Sequence, residues 1–187
     1  MGDHKKLLNP FTRFTREIRT RKVLPYIPSA ETHIDIGCGP EKYLLRRSPC
    51  RVRIGFDQQT GQRLLDTIEA QDDSIDCITM LASIEHLEYP EKIIRECHRI
   101  IRDDGRLIIT TPRSSGKWLM KIYDPHYEIT EGAHQRYYDL NSMQSLLKGF
   151  FRIKTYQTFM LGFNQLFVCT KMRGLTQMDL DRIQPFV

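Results

Sequence analysis

The sequence predicts an α/β fold, a doubly wound and mostly parallel sheet of seven strands that finishes in an antiparallel C-terminal hairpin. Three observations point to it. The run Thr32-His33-Ile34-Asp35-Ile36-Gly37-Cys38-Gly39-Pro40 reads as a buried strand entering a glycine-hinged turn, with Pro40 and Glu41 suited to the first turn of a helix. Apolar runs recur near residues 32–36, 52–56, 62–66, 76–81 and 106–111, the spacing of strands with short crossovers. Finally, residues 151–158 and 165–171 face each other across Leu161-Gly162-Phe163-Asn164, which reads as a hairpin.

Taken in chain order, Asn9 is placed to cap a helix with Pro10 at its first position. Phe11, Phe14 and Ile18 would share one face of it, and it should end near Leu24-Pro25. This basic amphipathic helix defines residues 1–28, and residues 29–187 form a single domain. The strand Val52–Phe56 delivers Asp57 twenty residues after Gly37. The interval from Asp57 to Asp76 is too short for an ordinary crossover helix, so it reads as a loop with Arg63-Leu64-Leu65 as a brief edge strand. Asp72 to Leu81 supplies the next strand and its approach. Residues 90–101 carry apolar side chains at Ile93, Ile94, Cys97, Ile100 and Ile101, a helical stripe with proline at its start; His98, within it, reads as structural. Asp103-Asp104-Gly105 should end that helix, Arg106 to Thr111 forms a strand, and Pro112 stops it. A long connection, about 112–139, reads as a substrate or lid insertion with a short helix at Lys117–Tyr123. Asn141-Ser142-Met143-Gln144 resembles a capping box that opens a helix stopped at Gly149.

The net charge of +5 is concentrated at one end. Residues 1–30 hold seven Lys or Arg against Asp3 and Glu17, so the other 157 residues are neutral in sum. Such a helix either packs with a solvated basic side or meets an anionic partner: RNA, a membrane surface or a phosphorylated substrate. The five cysteines show no C-x-x-C spacing, which argues against a zinc knuckle or a disulfide framework and for reduced packing residues; no metal site is expected. The N-terminus lacks a secretory pattern and no apolar run approaches the ~20 residues of a membrane span, so the chain reads as cytoplasmic with no transmembrane segment.

The glycine turn limits the ligand. A dinucleotide fingerprint asks for a third glycine at position 42, which is Lys here. Asp35, two residues before Gly37, would repel a pyrophosphate but suits an ammonium or sulfonium. Asp57 stands where an open α/β sheet grips ribose hydroxyls. With Asp35-Ile36-Gly37-Cys38-Gly39 as a D-x-G-x-G turn, and Ser83-Ile84-Glu85-His86-Leu87 as an E-H-L segment after the fourth strand, residues 30–112 resemble the class I S-adenosylmethionine-dependent methyltransferases, of the type 11-like, Rossmann-like kind. The resemblance implies a methyltransferase that consumes S-adenosylmethionine and releases S-adenosylhomocysteine. It further implies that Asp35, Gly37, Cys38 and Gly39 receive the methionine end and that Asp57, with Gln58, binds the ribose. Asp66 or Thr67 would lie beside adenine, with Leu81, Ala82 and Ser83 lining the floor.

His86 is a candidate base, and His134 and Tyr138 are candidates on the acceptor side, with His126 and Tyr137 clustered near them. The E-H-L region followed by a long connection resembles the small-molecule or lipid and glycan branch of that family more than its nucleic-acid branch, for which neither N-P-P-Y nor a proline-cysteine catalytic motif is recognised. Three alternatives stand beside it: RNA recruited by the basic N-terminus, a cofactor-binding module without turnover, and an NAD-linked oxidoreductase, the last opposed by Lys42 and Asp35.

Overall fold

The computed structural model describes residues 10–57, 70–113 and 136–173. Helix α1 (Pro10–Val23) runs into a 3-10 turn at Leu24–Tyr26 and then into the first strand, β1 (Thr32–Ile36). β2 (Val52–Phe56), β3 (Ile75–Leu81), α2 (Pro90–Ile100), β4 (Ile101–Pro112), α3 (Leu140–Leu147), β5 (Phe151–Phe159) and β6 (Asn164–Lys171) follow. The sheet has six strands among the described residues, in the order β2-β1-β3-β4-β6-β5. β2, β1, β3 and β4 run parallel, while β6 pairs antiparallel with both β4 and β5. The edge strand expected at 62–66 and the helix expected at Lys117–Tyr123 lie outside the described residues.

Side chains alternate across β1 and β3, and each face of the sheet gets its own core. Ile34, Ile36, Ile78 and Met80 point to one side, where Ile93, Ile94, Cys97 and Ile100 of α2 and Met143 and Leu147 of α3 cover them. The apolar stripe of α2 is therefore the reason that helix packs at all: each of its fully buried isoleucines contributes about 1.5–3 kcal/mol. On the other side Cys77, Ile108, Leu166 and Val168 meet Val23, Ile27 and Leu44, so α1 closes the second face. His33, Asp35 and Thr79 share this second face, a line of polar groups on strands that are otherwise apolar.

Several local expectations shift. α2 passes straight into extended backbone at Ile101, so Asp103-Asp104-Gly105 does not end the helix but lies in a long β4. There it forms an irregularity in the pairing with β3, between the partners Ile75–Ile101 and Cys77–Arg106. The cap of α3 lies two residues before the expected Asn141, at Asp139: its Oδ1 accepts from the Ser142 amide (2.8 Å) while the Asp139 amide donates to Ser142 Oγ (2.8 Å). In α1 the buried positions are Thr15, Thr20 and Val23, and Ile18 packs against the same cluster as Val23, as expected, whereas Phe14, expected on that face, is 59% exposed. The five cysteines are free thiols, four of them buried, and His98 is pinned between Phe150 and Phe151 with its Nε2 on the Met172 carbonyl (3.2 Å).

Ile78 is fully buried at the centre of β3 and belongs to the apolar cluster on the α2 side. Ile78→Ala should lower unfolding free energy by about 2–5 kcal/mol in urea titration, the range for an uncollapsed core cavity. A loss under 1 kcal/mol would contradict the packing described.

Candidate functional site

β1 continues to β2 on one side and neighbours β3 on the other, so the connections leaving β1 and β3 diverge at their carboxyl ends. Open α/β sheets form their ligand crevice at such a switch point. Two segments meet there. The turn after β1 is held by the Gly37 and Cys38 amides, which both donate to the Phe56 carbonyl (2.8 and 3.2 Å). After β3, Ser83 Oγ donates back to the Ile36 carbonyl (2.8 Å). Gly37 has φ +80°, and a Cβ on it would lie 2.4 Å from Ser83 Cβ; no other residue fits. Gly39, at φ +64°, faces open space, with no atom within 4 Å of where its Cβ would be.

The helix expected at Pro40-Glu41 does not form. Lys42 takes a left-handed φ of +49°, which interrupts any helical run, and the chain turns through residues 39–44 to a 3-10 turn at Leu45–Arg47. Cys38 points under the turn toward β2, where a Cβ on Gly55 would come within 2.6 Å of its sulfur; burial pushes its thiol up to about 11.

Asp35 is 3% exposed. Burial, opposed by a hydrogen bond from Thr79 and reinforced by the nearby Asp57, raises its carboxyl to about 7. Thr79 Oγ1 donates to Asp35 Oδ1 at 2.6 Å, and the same hydroxyl lies 2.9 Å from His33 Nε2. His33 Nδ1 in turn is 2.8 Å from Ser48 Oγ. His33 is fully buried, which holds its imidazole down at about 4 and therefore neutral at physiological pH.

Asp57, at the end of β2, is also buried, and its Oδ2 accepts from the Gly39 amide at 2.7 Å. One oxygen thus fastens the glycine turn to β2. Gln58, Asp66, Thr67 and His134 lie outside the described residues. Leu81 ends β3, and Ala82 (φ +51°) donates to the Thr110 carbonyl at 2.8 Å, which bends the chain so that Ser83 meets Gly37. The structure therefore brings Asp35, Gly37, Cys38, Gly39, Asp57, Leu81, Ala82 and Ser83 to one crevice edge.

His86 closes the 3-10 turn Ile84–His86 and is half-buried, next to Glu85 of the E-H-L segment. Glu85 is 1% exposed; its Oε2 accepts from Thr111 Oγ1 (3.1 Å), burial raises its carboxyl, and the charges of His86 and Arg19 counter that rise. Arg19 reaches in from α1, and its Nε donates to Asn164 Oδ1 (3.2 Å). Tyr138 packs its ring into the core on the α2 side, and its carbonyl accepts from Gln165 Nε2 (2.6 Å). Its hydroxyl is buried without a hydrogen bond of ordinary geometry, and burial raises its titration so that it keeps its proton. Period-two alternation puts His33 and Thr79 in phase with Asp35, whereas Glu85 lies in a 3-10 turn and carries no such signal. A polar residue in phase with Asp35 on a buried strand needs a partner, and neighbouring polar residues supply one another.

The donor set suits the cationic ligand inferred from the sequence. A buried carboxylate faced by a hydroxyl and by another acid is short of positive charge, and the turn beside it offers open space and no side chain at Gly39.

Residues 11–150 match a family model described as a methyltransferase domain. Among curated proteins, the ubiquinone biosynthesis O-methyltransferase of Erwinia tasmaniensis is 30% identical over 108 residues, 55% of this chain and 43% of that protein. The chain spans less than half the length of the curated relative it matches. Among solved structures, a SAM-dependent methyltransferase from Archaeoglobus fulgidus superposes with a TM-score of 0.65 at 15% identity, covering 86% of this chain and 95% of that one. The geranyl diphosphate C-methyltransferase of Streptomyces coelicolor A3(2), solved with Mg2+, geranyl diphosphate and S-adenosyl-L-homocysteine, gives 0.62 at 11% identity, over 86% and 81%. With three quarters of its length under one family model, and with the D-x-G-x-G turn, the switch-point crevice and the β6 insertion between β4 and β5, the chain belongs to the class I S-adenosylmethionine-dependent methyltransferases.

Proposed function

We propose that this chain transfers a methyl group from S-adenosylmethionine to a small-molecule, lipid or glycan acceptor. The observation that carries the reading is the buried Asp35 carboxylate beside the open Gly37–Gly39 turn, fastened by Asp57. When bound, S-adenosylmethionine supplies a methyl carbon made electrophilic by its sulfonium. The chain's own work is alignment and exclusion of water, which suits an in-line displacement. Asp35 receives the ammonium of the methionine part, and the backbone of Gly37, Cys38 and Gly39 lies along it. Asp57, with Gln58, takes the ribose; Asp66 or Thr67 flanks adenine; Leu81, Ala82 and Ser83 form the floor.

On the acceptor side we assign His86, His134 and Tyr138. The protonated, buried hydroxyl of Tyr138 supports a donor role toward an acceptor oxygen, and the half-exposed His86 supports a role in taking up the acceptor's proton. The name of the curated relative, an O-methyltransferase, is in keeping with a hydroxyl acceptor. The alternative of an RNA acceptor draws less support from α1, because Arg16 and Arg21 are engaged with Glu41 (2.7 Å) and Glu17 (2.6 Å). A cofactor-binding module without turnover predicts binding with no transfer, so labelled methyl transfer into fractionated lysate separates the two.

Two outcomes are expected. Charged hydrogen bonds contribute about 1.5–3 kcal/mol, so Asp57→Ala should weaken S-adenosylhomocysteine binding roughly ten- to a hundred-fold by calorimetry. Unchanged affinity would remove Asp57 from the site. Because Asp35 titrates at about 7 and an ammonium prefers its ionised form, affinity should climb as pH rises through 7, with proton release on binding below it. Affinity that is flat from pH 6 to 8 would contradict the role of Asp35.

A further inference from the structure

Four side chains on the α1 side of the sheet form a continuous hydrogen-bonded line: Ser48, His33, Thr79 and Asp35. They are 7%, 0%, 0% and 3% exposed, so none of them can exchange a partner for water. His33 and Asp35 stand two apart on β1, on the same face, and Thr79 is the register partner of Asp35 on β3. Ser48 comes from the turn that follows the 3-10 segment Leu45–Arg47, and its Oγ also accepts from the Cys50 amide at 3.3 Å.

Counting protons fixes the direction of this line. A hydroxyl has one proton, and Thr79 gives its own to Asp35 when Asp35 is ionised, since a carboxylate only accepts. Thr79 Oγ1 must then accept from His33, which puts the imidazole proton on Nε2. Nδ1 is left as an acceptor and takes the proton of Ser48 Oγ, whose lone pairs hold the Cys50 amide. Every donor in the chain thus aims at the carboxylate. If Asp35 gains a proton, the sequence can run backward: Asp35 donates to Thr79, Thr79 to Nε2, and Nδ1–H to Ser48.

We propose that His33 and Thr79, backed by Ser48, are positioning residues for the cofactor carboxylate, a polarised relay that stabilises ionised Asp35 and couples its charge to the tautomer of His33. This rests on the reading that Asp35 receives the ammonium of S-adenosylmethionine. The relay answers a cost to which, among the described residues, Asp57 at the end of β2, Cys38 in the turn and Cys77 on β3 bring no positive charge. It ties down one oxygen of Asp35 from within the sheet and fixes the plane of the group. Neither His33 nor Thr79 touches the ligand in this arrangement.

The test combines two readouts on the full chain. First, calorimetric titration with S-adenosylhomocysteine from pH 5.5 to 8.5 compares the parent with Thr79→Val, Thr79→Ser, His33→Leu and His33→Gln. Loss of the donor in Thr79→Val or His33→Leu should move the pH midpoint of binding upward by about one unit, which is about fivefold in affinity at pH 7 and about tenfold at the acid end of the titration. Thr79→Ser keeps the hydroxyl and His33→Gln keeps a donor toward Thr79, so both should restore the parent midpoint; a packing role alone would lower melting temperature without moving it. Second, nitrogen NMR of labelled His33 in the S-adenosylhomocysteine complex should show a neutral ring protonated on Nε2. A midpoint unmoved in folded Thr79→Val, or an Nδ1–H ring in the complex, would overturn the relay. If the parent binds no S-adenosylhomocysteine, the cofactor reading falls instead, while carboxyl-carbon titration of Asp35 in the ligand-free parent and Thr79→Ser, Thr79→Val pair still decides the relay: equal midpoints in all three would refute it.

Discussion

Asp35 sits on β1 between two parallel neighbours, β2 and β3, and the rest of the site is arranged around keeping a carboxylate there. An acid so deeply desolvated is held toward its neutral form unless its environment answers the charge. The response comes from β3, which sets Thr79 directly across from it, and from β1 itself, which places His33 in phase two residues earlier. β2 contributes by omission. Its residue opposite Asp35 is Gly55, and the room left there is taken by the sulfur of Cys38, so the turn after β1 folds down over the strand. The same strand ends in Asp57, which ties Gly39 into place. Three adjacent strands thus specify one turn, and a cationic ligand would complete a charge balance that the protein leaves open.

The outer side of that turn is joined to α1. The ring of Tyr43 is sandwiched between the guanidinium groups of Arg16 (4.1 Å) and Arg47 (3.8 Å), its hydroxyl bonds Glu17, and Arg16 pairs with Glu41. Exposed ion pairs contribute at most about 1 kcal/mol each, so this cluster orients the helix more than it holds it. What holds it is the burial of Val23 and Ile27 against β3, β4 and β6. The basic character of the segment is in this respect partly structural: some of its cations have partners within the chain, and Arg19 is turned inward toward Glu85 and Asn164.

Much of the architecture could be read from residue pattern because it rests on periodicity. The strands at 32–36 and 52–56 come out with the bounds expected, since their apolar runs end at a glycine turn and at a buried acid. The glycine turn was legible for the same reason, as was Asp57 by its distance from it. What failed was local punctuation. Asp103-Asp104-Gly105 has the composition of a helix stop, but pairing with β3 took the segment into a strand, and no local rule contains that partner. The expected helix after Gly39 lost to a left-handed Lys42, and Asp139 displaced Asn141 as cap because it comes first and makes both bonds of the box. Glu85 and the His33–Thr79 pair were hidden by a different limit: a buried polar residue acquires meaning only from neighbours tens of residues away, as with His33 and Thr79.

The first helix and the last hairpin are neighbours in space and strangers in sequence. Arg19 bonds Asn164, Tyr26 accepts from Gln157, and Val23 and Ile27 share a cluster with Phe159, Leu166 and Val168. During synthesis, then, the helix leaves the ribosome long before its seat exists, and the wall behind the crevice is finished only when β6 slots between β4 and β5. Contacts so distant along the chain slow folding and delay it to a late, all-at-once event.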